Sequence, residues 1–569
     1  MLIYLPVNKN STPKMKALKI TGAIVAILAI IIYFTSDFFL EKKLRTELSK
    51  LINKDSLSLY TYNFSNLNLN LVEGSIKLKG IKLHPTKAAL DSIKSMDNNV
   101  RVLVEATSDE MKMEGFEIKH FLKTGQIQIN RLIINTPELV YLFNNRKKAS
   151  RNTITLDNVF SKKFSQANLK HFLITNASIN AHNINNDKDI VVFEDVGFHL
   201  TNAHIDSLTI KRFSPFDYDN IEFSSKGLSL DLDEDFIIST GKLRFNAEEN
   251  TTSISDLKIK PKYSQKNFSK KYNVQKTWFA LTLEDLVVSN INFEQLIQNG
   301  DFRMGRLTLK KANLAIYKDK TKPEPPFKKK LMPASALKKI PFNLSIDTIL
   351  VTNSTMTINE KSALSQKVSE LTLNDLNATI HGFSNDPDKI GTNRYMVVNV
   401  SSKLMKTSPV LFQAKFDLTD PDDKHYIHGT VGKTDATVFN NLLEPMLLVK
   451  IKSGEIRHMD FSYTGDDHDC YGTMDFEYEN FKVDIYNAEE HDKKQGLLSL
   501  AANTVIKSTN LKENGSYSKG VIKVERLPER FIFSYIWRAV QSGIVYTMAP
   551  VLSNVKKEEK AARKEARKN

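Results

Sequence analysis

Gly465–Cys470, "GDDHDC", places three acids, a histidine and a cysteine within six residues of a 569-residue chain. Side chains of these types ligate metals when they converge on one point. The run sits between "EIRHMDFSYT" and "YGTMDFEYENFKVDIY", which both alternate like strands, so a polar hairpin turn is the favoured reading. In "DPDDKHYIH", His425 and His428 stand three apart. On a strand that spacing throws them to opposite faces, which disfavours a shared zinc ion. No Gly-rich phosphate loop, G-x-S-x-G elbow or H-E-x-x-H motif occurs, and none of the twelve histidines pairs with a credible nucleophile. The expectation is a non-enzyme, with no catalytic residues, no metal and no cofactor.

Charge narrows the field further. Lys and Arg total 80 against 65 acids, a net +15. Lys9, Lys14, Lys16 and Lys19 supply +4, and the tail 554–569, with seven basic and three acidic residues, another +4. The remaining +7 is spread over more than 500 residues. Phosphate recognition wants a concentrated stripe, so nucleic acid is not the expected partner. The single cysteine, Cys470, rules out an internal disulfide.

Elements that could position a site begin with "ITGAIVAILAIIIYF", residues 20–34, an uncharged run inside the stretch Ala17–Leu40. About 20 apolar residues cross the hydrocarbon core as a helix. Lysines precede the run and mixed charge follows it, so the positive-inside rule puts residues 1–16 in the cytoplasm and the bulk outside it. A cleavable signal peptide shares these features, but "TSDFFLEKK" lacks an A-x-A-like site. The expectation is a signal anchor over 17–40 and a juxtamembrane helix over 41–55.

Beyond it, period-2 alternation dominates, as in "GQIQINRLIIN", "HFLITNASINAHNI" and "GRLTLKKANLAIY". No strict repeat period is present, but a loose unit recurs: strand, a few polar residues, strand. Examples are Ile127–Ile134, Leu307–Ile316 and Leu371–Ile380. One-residue phase slips and internal Asn residues predict bulges and twist. In "NLNLNLVEGSIKLKGIKL", a bulge at Gly80 keeps Ile76, Leu78, Ile81 and Leu83 on one face. The Pro/Lys-rich segment 320–340 reads as a linker between β segments at 56–319 and 341–526. A helix is expected at 527–553, followed by the charged tail 554–569. Two closed sandwiches and one quasi-linear sheet both fit this length.

Three stretches resemble the AsmA-like proteins of Gram-negative envelopes, related in architecture to TamB-like and other bridge-like lipid-transfer proteins. They are the anchor with "LNLVEGSIKLKGIKL" close behind it, Leu442–Tyr486 as a C-terminal module, and the helix "FIFSYIWRAVQSGIVYTMAP". The likeness covers the ends of the chain, the middle sharing only strand character. It implies an elongated, twisted, half-open antiparallel β-groove that is mainly β, with a few short helices and a C-terminal amphipathic helix. The function it implies is a membrane-anchored periplasmic protein, N-terminus cytoplasmic. Such a protein would carry phospholipid or another glycerolipid between inner and outer membrane. Groove candidates are Leu67, Leu69, Leu71, Ile76, Leu78, Ile81, Leu83, Ile127, Ile129, Leu307 and Leu309. On the last helix, Phe531, Ile532, Tyr535, Ile536 and Trp537 would meet a distal membrane or an envelope protein, unless the helix merely caps the last strands. A scaffold supporting outer-membrane protein assembly is the alternative, and an adhesive ectodomain of stacked sandwiches a third.

Overall fold

A computed structural model describes residues 60–550 and 553, apart from 71–72, 96–101, 145–165, 186–187, 210–215, 294, 296–299, 487–505 and 516. The anchor, juxtamembrane helix, charged tail and Leu71 lie outside the described residues. Among those described, no helix is long and apolar enough to cross a membrane. The protein is mainly β, and its strands belong to one large mixed sheet. Two compact units divide the chain, 1–257 with 287–301 and 258–286 with 302–569.

The first unit opens with β1 (Tyr60–Asn63), β2 (Asn66–Asn70), β3 (Ser75–Pro85) and β4 (Val102–Glu114). Then come β5 (Gln126–Asn135), β6 (Glu138–Phe143), β7 (Gln166–Asn183) and β8 (Lys188–Asp206). Short strands follow: β9 (Asn220–Ser225), β10 (Gly227–Asp231), β11 (Phe236–Thr240) and β12 (Leu243–Asn246), then β13 (Thr251–Pro261), which passes into the second unit at Lys258. Helices α1 (Lys87–Lys94) and α2 (Ile118–Thr124) pack on the sheet.

The second unit contains α3 (Gln265–Lys271), β14 (Thr277–Ile291, returning to the first unit from Val287), β15 (Phe302–Lys310), β16 (Asn313–Asp319), α4 (Pro333–Lys338) and β17 (Leu344–Lys361). It continues through β18 (Val368–Ser384), α5 (Pro387–Thr392), β19 (Tyr395–Leu404), β20 (Ser408–Asp417), β21 (His425–Val431) and β22 (Thr434–Asp435). It closes with α6 (Asn440–Leu447), β23 (Val449–Gly465), β24 (Asp469–Ile485), β25 (Gly520–Glu525) and α7 (Ile532–Met548).

The sheet is not purely antiparallel, which corrects the sequence reading. β5 and β6 both run parallel to β7, and β15 and β16 both run parallel to β17. Parallel neighbours need a crossover connection. In the second unit that crossover is residues 320–343. The Pro/Lys-rich segment is therefore part of one unit, pinned through Lys329 to Asp467 (2.5 Å) and Arg530 to Glu324 (2.8 Å).

These two sets of three strands share one layout. In each, two short strands lie end to end along one long strand, and a residue with positive φ joins them: Thr136 (φ 46°) and Lys311 (φ 51°). The long strands break at "ITNAS", Ile174–Ser178, and "VTNST", Val351–Thr355, where Asn176 and Asn353 take φ near 52° and 51°. The return strands carry Asp195 and Asp375, both at φ 49°. Asn and Asp tolerate the left-handed region better than other side chains, which is why they sit at these breaks. Gly80 (φ 58°) does the same in β3: β1 ends on one side of it, Asn63 opposite Lys82, and β2 begins on the other, Asn66 opposite Lys79. Its burial agrees, with Ile76 and Leu78 buried, Lys79 and Lys82 exposed, and Ile81 and Leu83 half-buried.

Candidate functional site

Cross-strand register turns the alternation into continuous rows. In the first unit one row runs Leu67–Leu78–Met111–Ile134–Ile174–Phe198–Phe223–Phe245 over eight strands. A second runs Ile76–Met113–Leu132–Phe172–Leu200–Ile221 beside it. Phe64, Phe116 and Phe121 on α2 cover this stripe, and Met113 and Leu132 are 1 % exposed. Its middle is a closed core, while Leu67, Phe223 and Phe245 at its two ends are half-buried.

Past the bulges the same face continues differently. Leu83–Ala106–Leu139–Ile179–Phe193–Leu228 form a further row, with Val104–Tyr141–Ala181 beside it. Each of these residues is half-buried. Phe193 meets Phe223 edge-on, ring centroids 6.2 Å apart, which ties the two stripes to one face. Burial among apolar neighbours pushes the Tyr141 phenol up to about 12. Helix α1 covers the other face here, packing Ala89 and Ile93 with Leu103 and Leu142. The first unit thus joins a sealed stripe to an apolar stripe that water still reaches.

The second unit repeats this pattern. Leu307–Ile349–Ile380–Val398–Ala414–Ile427–Tyr463 crosses seven strands, sealed at its far end by α7 and half-exposed at Leu307. Beyond Lys311, Asn353 and Asp375 lie the half-buried rows Phe279–Ile316–Ile358–Leu371 and Leu281–Leu314–Met356–Leu373–Leu404.

Behind the sealed stripe of the first unit the opposite face is polar. Lys77 pairs with Glu110 (2.7 Å), Arg131 with Glu114 (3.3 Å), and His171 Nδ1 lies 3.2 Å from His199 Nε2. His171 titrates below its ordinary range, through partial burial first and then the neighbouring positive charges of His199 and Arg131. A cleft of about 520 Å³ is lined by His199, Glu222, Arg244 and Glu249 and equally by Ile174, Phe198, Phe223 and Phe245 of the apolar row.

The groove candidates therefore separate. Ile76, Leu78, Ile127 and Ile129 belong to the closed core, and Leu67 and Ile81 pack on its margin. Leu83, Leu307 and Leu309 are half-buried, and the backbone of Leu69 pairs with Ile76. Sequence reasoning missed Leu139, Ile179, Phe193 and Leu228. The signal was the phase slip at Asn176, which reverses the inward parity downstream.

On α7 the candidates also divide. Tyr535, Ala539, Gly543 and Thr547 lie at i, i+4, i+8 and i+12 and are buried against β24 and β25. Ile532 and Ile536 flank that contact, while Phe531 and Trp537 are exposed beside Phe533 at 72 %. Beneath the helix sits a buried polar cluster of His425, Tyr463, Cys470 and Tyr535. His425 Nδ1 is 2.9 Å from the Asp423 carbonyl. Its ring centroid lies 6.0 Å from Tyr463 and 5.9 Å from Tyr535. Burial holds the imidazole below its ordinary pKa and pushes the Cys470 thiol up to about 11. "GDDHDC" is the β23–β24 turn, and Asp466 caps it by accepting from the His468 and Asp469 amides. Among the described residues no group of acids, histidines and cysteines is arranged to hold a metal. His428 pairs with Asp460 (3.2 Å), whereas His425 is interior.

No protein-family profile and no curated protein matches the chain.

Proposed function

We propose that the chain is a membrane-anchored lipid-binding and lipid-transfer protein whose half-buried apolar stripes carry acyl chains. The observation that carries this reading is the row Leu83–Ala106–Leu139–Ile179–Phe193–Leu228. It is apolar at every step and built on backbone already paired in the sheet. A face of this kind offers continuous contact to an alkyl chain, worth about 0.8 kcal/mol per buried CH₂. The anchor expected at 17–40 and the resemblance to AsmA-like proteins extend the reading to phospholipid or another glycerolipid moving between the two envelope membranes.

The closed cores at Leu132 and Tyr463 support the second reading, a non-enzymatic envelope scaffold, because a sealed stripe stabilises a fold without a ligand. Native mass spectrometry of the purified full chain separates the two. Lipid adducts that survive gentle activation support transfer. A chain consistently free of lipid, with the stripe protected from solvent labelling, supports the scaffold.

A further inference from the structure

The modest overall charge conceals a local concentration. From Lys258 to Lys276 the chain carries seven lysines and no acid. This segment is the tip joining β13 to β14, and β16 ends beside it, Thr277 pairing with Lys318, with Lys320 and Lys322 just beyond. Lys260, Lys262, Lys266, Lys270 and Lys271 are exposed.

The tip is held rigidly. Ser264 caps α3 by accepting from the Asn267 amide, and Phe268 is buried against Tyr272, centroids 5.1 Å apart. Ser269 donates to Asp319 (2.5 Å), and Gln275 bonds the Pro323 and Lys322 carbonyls, each at 2.9 Å. Trp278 Nε1 donates to the Tyr263 carbonyl (2.9 Å). Lys271 lies over the Tyr263 ring at 4.7 Å, and Lys276 over Tyr272 at 3.9 Å. Nearby acids are engaged within the protein: Asp319 by Ser269 and Thr321, Glu324 by Arg530, and Glu360 by Lys320.

We propose that this lysine-bearing tip docks on an anionic phospholipid bilayer. Ammonium groups on a fixed platform suit a plane of phosphates, and Tyr263, Tyr272 and Trp278 are amphipathic rings of the type that settles at headgroup depth. An acidic protein would match the charge as well, and tyrosine and tryptophan also populate protein interfaces; the anchor expected at 17–40, which keeps the chain beside a membrane, favours the bilayer. The docking stands apart from lipid carriage, since it needs only the tip.

The test uses the full chain held in zwitterionic phosphatidylcholine nanodiscs and its capture of vesicles with and without about 30 % phosphatidylglycerol, near physiological salt. Wild type is expected to capture only the anionic vesicles. Lys260→Gln/Lys266→Gln/Lys270→Gln removes three exposed lysines and is expected to weaken capture about a hundredfold, at roughly fivefold per lysine. Lys123→Gln/Lys226→Gln/Lys242→Gln, three exposed lysines of the other unit, makes the same charge change and is expected to leave capture nearly intact. Equal loss in both triples, equal capture of neutral vesicles, or tighter binding of a single-stranded RNA oligonucleotide than of vesicles would overturn the proposal. Lipid occupancy measured on the same samples keeps failure of docking distinct from failure of carriage.

Discussion

Placing a carboxylate on each stripe of the first unit tests the two-stripe architecture directly. Leu132 is 1 % exposed among Met113, Phe172 and their neighbours. Removing a buried leucine of this kind costs about 2–5 kcal/mol. Leaving a charged or unpaired polar group in its place adds several more. The total, above about 5 kcal/mol, rivals the whole stability of an ordinary domain, so Leu132→Asp is expected to unfold the unit. Ile179 sits in the half-buried row, where its carboxylate replacement reaches water. About half of an isoleucine's 1.5–3 kcal/mol of burial is at stake, so Ile179→Asp costs roughly 1 kcal/mol and the fold survives. A bound acyl chain pays differently. If the carboxylate displaces about three methylenes from contact, binding loses about 2.4 kcal/mol, or roughly fiftyfold. Circular dichroism melts report the first difference and native mass spectrometry the second. Should Ile179→Asp unfold the unit as Leu132→Asp does, the second stripe is closed core. Should it leave lipid occupancy unchanged, lipid does not lie on that row.

Acid should weaken the seat of α7. His425 is neutral in the fold and titrates below the unfolded value, through burial first, with Arg526 reinforcing the shift and Asp423 and Asp466 opposing it. Its stabilising contribution is therefore complete above about pH 6.5. It drains as pH falls toward the folded pKa, by up to about 1.4 kcal/mol per unit. Denaturant midpoints at pH 7.5 and 5.5 should differ more for wild type than for His425→Gln; parallel curves would exclude the histidine. At Gly472 an added Cβ would lie 2.0 Å from the Ser462 carbonyl oxygen, inside the β23–β24 ladder. Gly472→Ala is thus expected to cost about 4 kcal/mol or more, and a wild-type melt would show that the two strands separate easily.

Sequence alone conveyed the strand character, the parity slip at Gly80 and the terminal helix, because period-2 alternation and a phase slip are local signals. The parallel pairings of β7 and β17 were illegible. A crossover and a long hairpin both read as strand, polar stretch, strand, and only three-dimensional register tells them apart. For the same reason the Pro/Lys-rich segment looked like a domain linker, although it stays within the second unit. Site residues failed at a different level. Alternation names the inward parity of Ile76 and Leu78, but not that Phe64 and Phe116, from two separate turns, would close over it. The open stripe lay one bulge further on, at Leu139 and Ile179, with parity reversed.

Those bulges explain how one face can be both sealed and open, and they can be tested as a set. Outside Gly, Asn and Asp, a residue in the left-handed region costs about 1–2 kcal/mol, so Thr136 and Lys311 carry strain at the two seams. Such strain persists only where surrounding pairing over-determines it. Each bulge adds one residue and increases local twist, which turns the strand segment beyond it away from the elements covering the segment before it. Helix α2 and the turns carrying Phe64 and Phe116 can then cover one stripe without reaching the next. Asn176 and Asn353 are both exposed, so replacing them changes backbone preference with little effect on packing. Asn176→Val and Asn353→Val put a β-branched side chain at φ near 50° and are each expected to cost about 2 kcal/mol. If the two sets of strands are equivalent, the two losses match in denaturant titrations and each exposes its own unit to hydrogen exchange. A loss at one position with none at the other would show that the second break is set by its neighbours alone, and the shared seam would not be the device that separates the stripes.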